Sequence, residues 1–303
     1  MEIKNFVMQS NFDDLSLHVL VYEPIGEKKG VLQILHGMCE YKERYDAFME
    51  YFCKEGYVVV CHDQRGHGDS VKDKNDLGYF YDNTTRAIVE DAVQLTEWIK
   101  KEYPNLKITL FGHSMGSMVA RCYLQQHDAL IDKAIICGSP SKNPLAGIAI
   151  FMAKTLGFFR GTHHRSRTLA YLSTGRGNKR FKGEKAGAWL SQNRECIEKF
   201  YSNPKGRVIF TCNGFENLFR LMKNTYAKRK YEVKNPTLPI HFVSGGDDVV
   251  IGNEWKWFKS VEALRSVGYD NVSGKLYKGL RHEIFHDINK DEVMEDLLAF
   301  IRA

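Results

Sequence analysis

The pentapeptide Gly112-His-Ser-Met-Gly116 sets a serine between two glycines, after the apolar run Ile108–Phe111 and before the small-residue stretch Gly116–Ala120. A strand-like run on one side and a helix-like run on the other make this a tight turn. Such a turn lifts the serine hydroxyl off the backbone and aims the N–H groups of the following helix at it. Ser114 is therefore a candidate nucleophile for acyl transfer. A hydroxyl needs a base to take its proton, and the base needs an acid to orient it.

In units of this kind the partners follow in the order serine, acid, histidine. Of the eleven histidines, His282 and His286 follow the candidate acids. His282 lies in a loop after the strand-like Gly274–Tyr277 and is the candidate base. The acid comes from Val243-Ser-Gly-Gly-Asp-Asp-Val-Val250, where Asp248 is the first choice and Asp247 its competitor. The developing oxyanion needs N–H donors. Met115, next to the nucleophile, supplies one, and Met38 in His36-Gly-Met38 supplies the second, with Gly37 letting the backbone turn inward. His36 itself reads as structural.

His282-Glu-Ile-Phe-His286 also fits H-E-x-x-H, the zinc-protease pattern, which requires both histidines on one helical face. Gly279 just before it and Asp287–Asp291 just after it place the segment in a loop, and the serine machinery would be left without a purpose. The expectation is a reaction with no metal and no organic cofactor.

These residues need elements to hold them. Strand-like runs at Ile3–Met8, Leu15–Tyr22, Gly30–His36, Tyr57–His62, Lys107–Phe111, Lys133–Cys137, Ile240–Ser244 and Gly274–Tyr277 alternate with helical patterns. The helical patterns fall at Tyr45–Lys54, on the stripe Ile88, Ala92, Leu95, Ile99 capped by Asn83 or Thr84, and at Glu254–Val267 and Asp291–Ile301. Strands and helices in alternation predict a mostly parallel eight-stranded sheet with helices on both faces. The rhythm breaks between Pro140 and Pro236. Residues 1–140 and 236–303 read as one core, and 141–235 as a mainly helical cap inserted into it.

Several segments carry a resemblance: His36-Gly-Met-Cys-Glu-Tyr-Lys-Glu-Arg-Tyr45, Asp63-Gln-Arg-Gly-His-Gly-Asp-Ser70, Gly112–Gly116, Ser244-Gly-Gly-Asp-Asp248 and Arg281-His-Glu283. Together they resemble the monoacylglycerol lipase and lysophospholipase branch of the α/β-hydrolases, which includes serine aminopeptidase S33-like members. The resemblance covers the core at both ends and leaves the cap unmatched. It implies the α/β-hydrolase fold and hydrolysis of single-chain acyl esters through an acyl-serine. Peptidases and general esterases of the same branch keep a peptidase or small-ester reading open. A ligand receptor on this fold is the reading from another class, and it leaves the triad without a use. Val249 departs from relatives, which often place proline after the acid.

Within the cap, Leu145–Phe159 is nearly unbroken apolar sequence, with Phe151, Leu156, Phe158 and Phe159 as candidates to line an acyl-chain tunnel. The alternative is a helix packed on the core. Residues 141–235 hold 20 Lys and Arg against 5 Glu, a charge of +15, while the rest of the chain carries −9. Arg160, Arg165, Arg167, Arg176, Lys179 and Arg180 suit contact with an anionic membrane surface. No nucleic-acid motif accompanies them. Seven scattered cysteines, never paired as C-x-x-C, suit reduced thiols in a cytoplasm. No secretory leader pattern opens the chain, and Leu145–Phe159 falls short of the roughly 18 residues of a membrane span.

Overall fold

The structure is a computed structural model that describes residues 1–173, 177–206 and 208–303. Eight strands form one sheet: β1 (Glu2–Gln9), β2 (Ser16–Glu23), β3 (Gly30–Leu35), β4 (Tyr57–His62), β5 (Ile108–His113), β6 (Lys133–Cys137), β7 (Ile240–Gly245) and β8 (Val272–Tyr277). Their spatial order is β1-β2-β4-β3-β5-β6-β7-β8. The β1–β2 and β2–β4 pairs are antiparallel, and every pair from β4 to β8 is parallel.

The inner strands are buried along their length and mostly apolar because both faces are covered. Side chains alternate across a strand, so Leu32 and Ile34 of β3 join Val59 and Cys61 of β4 on one face. Val31, Leu35, Val58 and Val60 join the other. The first face is covered by α1 (Asp46–Lys54) and by a closing helix, Lys290–Arg302, through Phe48, Phe52, Val293 and Leu297. The second is covered by α2 (Arg86–Glu102), α3 (Met115–Tyr123) and a helix over Glu254–Arg265.

The stripe expected on α2 is buried as read, but its start differs. Asn83 does not cap it, while the Thr84 hydroxyl accepts the Arg86 N–H from one residue before the N-cap position. Thr85 stands at the helix start with φ 70°, and the Asp82 carboxylate accepts the N–H groups of Asn83, Thr84 and Ala87. The orphan donors of the first turn are thus shared, Arg86 bonding the Thr84 hydroxyl and Ala87 the Asp82 carboxylate.

Between β6 and β7 lie α4 (Ala146–Arg160), α5 (Arg167–Ser173), α6 (Arg194–Ser202) and α7 (Cys212–Asn224), which makes the Glu254–Arg265 helix α8 and the closing helix α9. This insertion is tied to the rest of the chain by side chains. Asn213 and Asn217 of α7 donate to the Asp82 carbonyl, and Thr211 donates to that of Gly78. The Arg281 guanidinium bonds Glu184 and the Ala188 carbonyl. Among the described residues no helix is long and apolar enough to cross a membrane.

Candidate active site

Ser114 follows β5, Asp248 lies beyond the end of β7 and His282 beyond the end of β8, all at the carboxyl edge of the parallel strands. In open α/β sheets this edge is where ligands bind. The turn at Ser114 is strained: its φ is 52° and ψ −114°, a conformation that side chains rarely adopt. The neighbouring glycines are required by space. A Cβ on Gly116 would stand 2.0 Å from the Leu35 carbonyl oxygen, and one on Gly112 2.5 Å from that of Gly116. The Ser114 N–H donates to the Cys137 carbonyl, and its own carbonyl accepts from Ser117 and Met118 as α3 begins.

The three side chains meet. His282 Nε2 is 2.8 Å from Ser114 Oγ, and His282 Nδ1 is 2.8 Å from Asp248 Oδ2. With the proton on Nδ1 donated to the carboxylate, Nε2 is free to accept the serine proton. The other Asp248 oxygen accepts the N–H of Val250, which fixes the carboxyl plane. Asp247 turns away, its carboxylate 2.6 Å from the Arg180 guanidinium at the surface. Burial alone would depress the His282 pKa. Asp248, by charge and by hydrogen bond, together with the charges of Glu283 and Glu40, outweighs it and holds the ring above the ordinary 6.5.

The insertion contributes to the histidine loop. The His282 N–H donates to the Trp189 carbonyl and the Glu283 N–H to that of Leu190, and the Trp189 ring lies 5.3 Å from the imidazole. Asp287 accepts N–H groups from Arg281 and Gln192, closing the loop from behind.

A buried carboxylate that sequence reasoning passed over joins two further parts. Glu40 Oε2 accepts the Gly37 N–H and the Tyr45 hydroxyl and lies 3.2 Å from His113 Nδ1. Its Oε1 accepts from Arg44, whose guanidinium reaches on to Glu283. Burial would raise Glu40, but His113, Arg44 and Tyr45 hold it well below the usual carboxylate range. Glu40 and Arg44 stood within the motif His36–Tyr45. Nothing in the sequence said that they meet His113 and Glu283, because both contacts cross more than sixty positions.

A family model described as serine aminopeptidase, S33, matches residues 26–289. The chain belongs to that family of α/β-hydrolases. Monoglyceride lipase from Mus musculus is 24% identical over 92% of this chain and 83% of its own. Phospholipase YtpA from Bacillus subtilis is 24% identical over 89% of this chain and 94% of its own. Among solved structures, a highly thermostable carboxyl esterase from Bacillus coagulans superposes with a TM-score of 0.89 at 27% identity, covering 100% of this chain and 98% of the esterase.

In this family member, Ser114, Met115, Met38 and His282 open onto a cavity of about 400 Å³, within the range of small-molecule sites. Met118 of α3 and Phe215, Leu218 and Met222 of α7 supply much of its apolar wall. The acyl-tunnel reading of α4 is corrected here. Phe151, Phe158 and Phe159 are 69%, 83% and 76% exposed, and none of them, nor Leu156, reaches the cavity. Helix α4 packs on α7 through its small side, with Ala146, Ala153 and Gly157 buried. Small residues allow the close approach, so the large ones are left outside. Phe151, Leu156 and Phe159 line an outer groove with Arg160, His164, Arg165 and Arg167.

No helix spans 282–286, and the His282 ring is committed to Ser114 and Asp248, so the H-E-x-x-H pattern is not assembled. The basic residues named above divide. Arg165 bonds the carbonyls of Ile209 and Asn75, and Arg180 bonds Asp247 in an exposed pair, so both side chains are already engaged within the chain. Arg176 lies outside the described residues.

Proposed function

We propose that this protein is a serine hydrolase that cleaves carboxylic esters of single-chain acyl lipids through an acyl-serine intermediate. The observation that carries the reading is the Ser114–His282–Asp248 relay of two 2.8 Å contacts, opening onto a largely apolar cavity of about 400 Å³. Ser114 Oγ attacks the ester carbonyl as its proton passes to His282 Nε2. The Met38 and Met115 N–H groups receive the oxyanion. His282 returns the proton to the departing alcohol, then takes one from water as the hydroxide attacks the acyl-serine, and Ser114 regains its hydrogen as the fatty acid leaves. Asp248 keeps the ring in the working tautomer throughout.

An amine-terminated peptide would need an unengaged carboxylate in the cavity to meet its ammonium group. Glu40 and Glu283 are the lining acids among the described residues, and Arg44 already bonds both. This supports esters over peptides. The β6–β7 insertion is read as the cap. The bare aromatic side of α4, next to Lys154, Arg160 and Arg167, suits peripheral docking on an anionic membrane that supplies the substrate. Seven free thiols, six of them buried, suit a cytoplasmic setting.

A fluorophosphonate probe tests the relay, and a panel of monoacylglycerols, lysophospholipids, short p-nitrophenyl esters and aminoacyl amides tests the substrate. The expected result is labelling that disappears in Ser114→Ala, with turnover highest on single-chain acyl esters. Labelling that persists in Ser114→Ala would refute the nucleophile, and preference for the amides would refute the substrate class.

A further inference from the structure

Beside the triad, outside the steps described above, three metal-ligating side chains converge. Cys196 Sγ, on α6, the Glu283 carboxylate and His286 Nδ1 all lie within 4.8 Å of one another. His286 Nδ1 lies 3.5 Å from Glu283 Oε2. That nitrogen is buried from solvent and faces the cluster, where it pairs with the Glu283 carboxylate without a well-aligned hydrogen bond. Cys196 and Glu283 favour a proton on the ring, and a metal bound here takes that proton's place. The ring is held from the other side by Tyr45 and Phe285, at 6.1 and 4.5 Å.

We propose that Cys196, Glu283 and His286 form a binding site for a thiophilic divalent cation of the zinc class, which clamps the insertion to the loop that carries His282. The donor set selects the ion. Thiolate and imidazole favour Zn²⁺, Cd²⁺ or Co²⁺ over Ca²⁺ and Mg²⁺, which take oxygen ligands. Tetrahedral zinc with bonds of about 2.0–2.3 Å sets its ligand atoms roughly 3.4–3.8 Å apart. The His286–Glu283 pair already has this spacing, and the wider pairs, all within 4.8 Å, close by at most about an ångström on binding. Three protein ligands leave the fourth position to water.

Arg44 sharpens the selection. Its guanidinium bonds Glu283 and lies 3.8 Å from Cys196 Sγ. A carboxylate has about four lone-pair sites and can keep this partner while binding a metal. A cation entering beside Arg44 must gain more from sulfur and nitrogen than it loses to repulsion, which a purely oxygen-seeking ion does not. Coordination takes the thiol proton of Cys196 into solvent. Glu283 borders the catalytic cavity next to His282, and Tyr201, further along α6, borders it too. A metal here would join those two walls.

The site is independent of the hydrolase reading, and its test needs no turnover. The intact reduced protein is titrated with Co²⁺ in a phosphine reductant, following the thiolate-to-cobalt charge-transfer absorption. The other six cysteines are buried, so the band reports Cys196. The expected result is a band saturating at one equivalent, abolished in Cys196→Ala and needing at least about tenfold more metal in His286→Gln. Circular dichroism confirms that each variant is folded. No band in the wild-type protein at saturating Co²⁺, or an undiminished band in Cys196→Ala, overturns the proposal. The wild-type titration decides the matter even if a variant fails to fold.

Discussion

His113 Nδ1 stands 3.2 Å from Glu40 Oε2, so the residue before the nucleophile shares a carboxylate with the Gly37 N–H that shapes the Met38 loop. In the proposed mechanism, nucleophile and oxyanion donor are thus both flanked by one buried carboxylate. Glu40→Ala leaves Arg44 and Tyr45 short of a buried partner, and it is expected to cost about 3–5 kcal/mol of stability. Misplacement of the Met38 loop is expected to lower kcat about a hundredfold in the folded fraction. Urea unfolding and active-site-titrated turnover check the two effects. Wild-type kcat in Glu40→Ala would separate Glu40 from the donor loop.

Asp248 and Asp247 are adjacent in sequence and opposite in surroundings. Asp248→Asn is expected to lower kcat about 10⁴-fold, because the amide favours the wrong imidazole tautomer. Asp247→Asn removes an exposed pair with Arg180, a loss of about 0–1 kcal/mol, and leaves kcat near the wild-type value. Turnover of a short p-nitrophenyl ester by the two variants measures the contrast. A reversed order would move the acid to Asp247.

The pH profile follows from the raised pKa of His282. The base works only when neutral, so activity falls as pH drops through the folded-state value. Asp248 holds that value above 6.5, which places the acid limb of kcat/KM above pH 6.5. In Asp248→Asn the strongest raising partner is gone while burial remains, opposed only by Glu283 and Glu40, so the limb of the residual rate moves to lower pH. A limb that stays in place in the variant would mean that Asp248 does not set the charge of the ring.

The core was legible because its signals are local. Val58–Cys61 is an unbroken apolar run, and Gly112 and Gly116 mark a turn whose close packing, Gly116 on Leu35 and Gly112 on Gly116, leaves no space for a side chain. Asp248 could not be separated from Asp247 by spacing. The choice depends on Arg180 drawing Asp247 outward, a contact spanning 67 positions. Helix α4 misled because it is apolar all round, and hydrophobicity does not tell which side meets a neighbour. Ala153 and Gly157, the small positions, told it instead. Cys196 and His286 sit ninety positions apart with no metal-binding spacing, so their convergence is visible only once α6 is laid against the His282 loop.

Exposed Phe158 and Phe159 give the membrane reading a direct test. Each buried phenyl contributes about 1.5–3 kcal/mol, so Phe158→Ser with Phe159→Ser should weaken partition to anionic vesicles by about a hundredfold or more. Hydrolysis of a short water-soluble ester should stay unchanged, since neither side chain reaches the cavity. Vesicle co-sedimentation beside the soluble assay measures both. Equal partition of variant and wild type would remove α4 from the docking surface.

The strain at Ser114 predicts a stability difference between two inactive variants. Both Ser114→Ala and Ser114→Gly delete the hydroxyl that meets His282 Nε2, so the lost contact is the same. At φ 52° and ψ −114° alanine keeps the strain of a side chain in a region suited to glycine, a cost of about 1–3 kcal/mol. Glycine relieves it and gives back about 0.5–1 kcal/mol through the freer unfolded chain. Ser114→Gly should therefore be the more stable by roughly 1 kcal/mol, raising Tm by about 1–2 °C over Ser114→Ala. Differential scanning calorimetry on the two proteins resolves a gap of that size. If alanine melts higher, the turn at position 114 is not held in the strained conformation from which the nucleophile is presented.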